Sequence, residues 1–75
     1  MGVGESKNQA FKRLANKRVN RVLRELRLIG NLSNRSNYNY SESEVKTIFS
    51  NIDEELRLAK SRFTVHLRKD IGVKI

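Results

Sequence analysis

Apolar residues in the first part of the chain recur at helical spacing: Phe11, Ala15, Val19, Val22, Leu26 and Ile29 step by four, four, three, four and three. At about 100° per residue they fall in a stripe roughly 80° wide, with Leu23 on one flank. Arg13, Lys17, Asn20, Arg24 and Arg27 occupy the opposite face. The pattern predicts a helix over 7–29. Gly30 is expected to stop it, because glycine takes φ > 0 without steric cost.

A second helix is signalled at "YSESEV", residues 40–45. Ser41 is an N-cap whose hydroxyl can accept from an unpaired amide one turn on, and Glu44 can reach back to the amide of Ser41. Tyr40 and Val45 stand at the two positions of a hydrophobic staple. Glu42 and Glu44 suit the positive end of the helix dipole. Val45, Ile48, Ile52, Leu56, Ala59 and Phe63 form the stripe, widened by Phe49 and Leu67. The helix is expected over 41–68, followed by a flexible tail, 69–75.

The two stripes match each other in register. Facing residues of an antiparallel hairpin have a nearly constant sum of numbers. Ile29 with Val45, Leu26 with Ile48, Val22 with Ile52, Ala15 with Ala59 and Phe11 with Phe63 all share one sum, and Val19 with Leu56 differs by one. The expected fold is therefore all-α: one domain, an antiparallel two-helix hairpin with coiled-coil-like packing. One such seam buries little surface for so many ordered residues. Leu14, Leu28 and Leu58 lie off the main stripe and offer a further contact surface. A homodimer forming a four-helix bundle is expected, with a monomer covered by its own terminal segments as the alternative.

Charge adds a candidate function. Sixteen Lys and Arg stand against eight Asp and Glu, a net charge of +8. The excess lies at the chain ends: residues 1–18 carry +4, residues 57–75 carry +5, and the middle carries −1. A hairpin would gather both ends into one basic pole. Such a surface fits DNA or RNA phosphates, or an acidic protein partner. It also serves plain solubility. The candidate nucleic-acid contacts are Lys12, Arg13, Lys17, Arg18, Arg24, Arg27, Lys60, Arg62, Arg68 and Lys69. The basic amphipathic run "KRLANKRVNRVLRELR" also has the character of a membrane-surface or calmodulin-target segment, but the hairpin claims its apolar stripe.

The connection "GNLSNRSNYNY", residues 30–40, is rich in asparagine. One reading makes it an ordered closure, with asparagines satisfying backbone groups. The other makes it a contact surface, in which Tyr38 stacks on a base and Arg35 holds a phosphate.

Little else suggests chemistry. There is no cysteine, so disulfides and thiolate metal sites are excluded. His66 is the one histidine, and Asp53, Glu54 and Glu55 are consecutive, so they fan around a helix. No catalytic triad or glycine-rich phosphate loop is present. The expectation is a non-catalytic protein with no cofactor, metal or small-molecule substrate. No secretory signal pattern, and no apolar run long enough to span a bilayer, appears in the sequence. A cytoplasmic nucleic-acid-binding accessory or regulatory factor is the leading expectation; a protein–protein interaction module is its alternative.

Overall fold

The computed structural model describes residues 4–71, with side chains for 4–67. It contains two helices, α1 (Lys7–Asn31) and α2 (Glu42–Ile71), and no strand among the described residues. The chain divides into two units between Asn39 and Tyr40, each holding one helix.

A capping box starts α1. Ser6 sits in extended backbone (φ −72°, ψ 166°), and its hydroxyl accepts from the Gln9 amide at 3.0 Å. The Gln9 side-chain carbonyl accepts in return from the Ser6 amide at 2.9 Å. Two orphan donors of the first turn are thus satisfied. The signature was present in the sequence as Ser-Lys-Asn-Gln, residues 6–9.

The far end of α1 departs from expectation. Gly30 does not stop the helix; it lies inside it, and its backbone is not in the left-handed region. The helix closes two residues later on Leu32, in right-handed geometry (φ −70°, ψ −7°). The Leu32 amide donates to the Ile29 carbonyl at 3.0 Å, and the Ser33 amide to that of Gly30 at 3.1 Å. Tightening of the last turn into i→i+3 bonds satisfies these carbonyls, so no left-handed residue is needed.

The second unit opens with the expected capping box. The Ser41 hydroxyl accepts from the Glu44 amide at 3.0 Å, and the Glu44 carboxylate accepts from the Ser41 amide at 2.7 Å. Tyr40 and Val45 are each half-buried, as a staple requires. The helix then runs to Ile71, three residues past the expected end. No proline occurs and the next glycine is Gly72, so no residue interrupts the helical hydrogen bonds before that point. Residues 69–71 are helix where a flexible tail was expected, and 72–75 lie outside the described residues.

Both stripes are real helix faces, yet none of the described side chains is fully buried. Leu14, Ala15, Leu26, Ile29, Val45 and Ile52 are half-buried, whereas Val22 (55%), Leu56 (51%) and Phe63 (58%) keep more than half of their surface accessible. Local hydrogen bonds and caps define the start of each helix.

Candidate nucleic-acid interface

Helical periodicity places Arg13, Lys17, Arg24 and Arg27 along one side of α1, opposite the apolar stripe. Lys17 and Arg24 are two turns apart, about 10 Å along the axis, and Arg27 follows one turn later. Among the described residues no carboxylate lies within ion-pair distance of Lys17, Arg24 or Arg27. Arg13 differs from them. Its guanidinium donates twice to Glu5, Nε to Oε2 at 2.8 Å and Nη2 to Oε1 at 3.0 Å. This pairing holds Arg13 above its ordinary pKa. Sequence spacing missed the pair because Glu5 precedes the N-cap and lies eight residues away, outside the i,i+3 and i,i+4 rule for residues within a helix.

The other candidates are more scattered. Lys12 and Arg18 belong to the first unit but point away from the centre of the Arg13–Arg27 face, by their angular positions on α1. Lys60 and Arg62 are two positions apart on α2, which turns them to nearly opposite sides of that helix. The side chains of Arg68 and Lys69 lie outside the described residues. On α2 Arg57 donates to Glu54, Nη2 to Oε2 at 2.7 Å and Nε to Oε1 at 3.0 Å. The Arg57 guanidinium holds the Glu54 carboxyl below its usual range, and Arg57 is raised in turn.

In the connection Asn34 organises a turn. Its side-chain oxygen accepts from the Ser36 amide at 2.9 Å, and its carbonyl accepts from the amides of Asn37 (3.1 Å) and Tyr38 (3.0 Å). Asparagine is suited to this role because its short amide mimics a backbone acceptor. Arg35 rides within the turn and Tyr38 closes it; both are exposed, Tyr38 at 49%.

A shallow open groove on α2 is bordered by Glu55, Leu58, Ala59, Arg62 and Phe63. Among the described residues no three His, Asp or Glu side chains gather to hold a metal, and no helix is long and apolar enough to cross a membrane. His66 lies exposed on α2. The chain matches no protein-family model, no curated protein and no solved structure.

Proposed function

We propose that this is a small, non-catalytic nucleic-acid-binding factor whose α1 lays its basic side along phosphates. The observation that carries the reading is the row Lys17, Arg24 and Arg27, which has no carboxylate partner among the described residues and lies on one side of a capped helix. Guanidinium and ammonium groups in such a row neutralise backbone charge without reading base identity. Tyr38 and Arg35, at the ordered turn after α1, add a stacking platform suited to unpaired bases.

The reading includes an antiparallel hairpin, supported by the constant register of the two stripes, and a dimer of hairpins in a four-helix bundle. The exposed apolar faces support both, because burying them is the main stabilisation open to so small a chain.

The test is titration of the full chain with duplex DNA and with single-stranded RNA across a salt series. Affinity is expected to fall steeply with salt. Replacing Lys17, Arg24 and Arg27 by Ala should weaken binding to all sequences alike and flatten the log–log salt slope by about three. Absence of any binding at low salt overturns the proposal. The exposed stripes would then mark a protein–protein module.

A further inference from the structure

We infer that the ligand of the α1 site is a single strand of nucleic acid, whose phosphates follow Lys17, Arg24 and Arg27 and whose unpaired base stacks on Tyr38. This rests on the nucleic-acid reading above and narrows it, because charge alone accepts a duplex as readily as a single strand.

The cations stand in file. Lys17 and Arg24 are seven residues apart, so they differ by about 20° around α1 and lie about 10 Å apart along it. Arg27 follows one turn on, about 60° from Arg24. Glu25 is the one carboxylate of α1, and its position is turned about 100° from that of Arg24. The two ends of the file differ. Ahead of it, Glu5 engages Arg13 through both carboxylate oxygens. Beyond it, residues 26–41 contain no Asp or Glu and carry Arg27 and Arg35. The positive field therefore leads an anionic strand from Lys17 toward the connection that follows α1.

That connection presents an aromatic ring on an ordered backbone. The Leu32 and Ser33 amides donate to the carbonyls of Ile29 and Gly30, and the amides of Asn37 and Tyr38 both donate to that of Asn34. The Asn34 side-chain oxygen accepts from Ser36 between them. Tyr38 is thus tied back through the turn, and little backbone entropy remains to be lost when a ligand arrives. Its side chain is 49% exposed and has no ring or hydrogen-bond partner among the described residues. Neither packing nor hydrogen bonding within this unit accounts for a tyrosine there.

A stacked base does account for it. Every base has a π face, so stacking on Tyr38 adds affinity whatever the sequence. In a duplex those faces are covered by neighbouring base pairs, and only an unpaired base can meet the ring. The helix end favours the same contact. The carbonyl end of α1 carries partial negative charge and disfavours a further phosphate, whereas a base face is uncharged.

Fluorescence anisotropy of the full chain tests this with an unstructured RNA strand, the same strand annealed to its complement, and an abasic strand of equal length. The wild type should bind the base-bearing single strand about tenfold more tightly than either of the others. Tyr38→Ala should erase that difference while leaving the salt slope and the affinity for the abasic strand unchanged, which also shows that the basic file is intact. Tyr38→Phe should preserve the difference, because the ring and not the hydroxyl carries the stacking. Equal wild-type affinity for all these probes, or a Tyr38→Ala protein that keeps the preference, overturns the single-strand inference and leaves the phosphate reading standing. No binding of any probe at low salt overturns both.

Discussion

The Arg13 guanidinium grips both carboxylate oxygens of Glu5, across eight residues of sequence and over the first turns of α1. The pair is exposed, so it contributes little to stability. It does engage the first cation of the row that the proposed function lays along phosphates. Glu5→Gln should release Arg13 for phosphate. The expected outcome is a fewfold gain in nucleic-acid affinity at low salt and a salt slope steeper by about one, measured by fluorescence anisotropy. An unchanged slope would show that Arg13 makes no phosphate contact.

Gly30 offers a sharper test of local structure. It lies within helical backbone, and a Cβ built on it meets nothing within 4 Å. Gly30→Ala should therefore raise stability or helicity, by about 0.5–1 kcal/mol. Had Gly30 been the left-handed stop, the same change would destabilise. Helicity at 222 nm distinguishes the two.

Each capping box holds one helix start. Ser6→Ala and Ser41→Ala should each cost about 1 kcal/mol, with frayed first turns visible as faster amide exchange at Gln9 and Glu44. Substitution by Gly should cost only a few tenths at either position.

Acid should loosen α2 in a defined window. Arg57 lowers the Glu54 pKa from the ordinary 4.5, so the pair favours the helix above that value and the benefit is lost as pH falls through the lower folded value. Circular dichroism from pH 6 to 3 should show a small loss of helicity at the acid end. Glu54→Gln should remove that component.

The proposed hairpin register is open to cross-linking. The chain has no cysteine, so Val22→Cys with Ile52→Cys gives an unambiguous readout. Mild oxidation should yield an intrachain disulfide in this pair and much less in the mismatched pair Val22→Cys with Ala59→Cys. Equal yields would sink the register.

Much of this was legible in the sequence because it is local. Helix existence follows from the 3.6-residue spacing of Phe11 to Ile29 and of Val45 to Phe63, and the start of α2 from Ser41 and Glu44 three residues apart. The same rule, applied to Ser6 and Gln9, marks the start of α1. The candidate site was legible in part. The row Lys17, Arg24 and Arg27 follows from spacing, whereas the capture of Arg13 involves Glu5, which lies before the N-cap and outside the helix, where no periodic rule applies. The asparagines of the connection were expected to satisfy backbone groups or to form a contact surface, and the Asn34 side-chain oxygen does accept from the Ser36 amide.

By itself, then, the sequence determined what lies within a few residues of each position: two helices, their caps, their apolar stripes and the uneven spread of charge. Interactions at i+3 and i+4 carry that information, and they act before any partner arrives. The three-dimensional arrangement decided how α1 ends beyond Gly30, how far α2 extends, and which cation is taken by Glu5. Those outcomes depend on competition between nearly equal local options, where a single extra hydrogen bond or an uninterrupted backbone tips the balance.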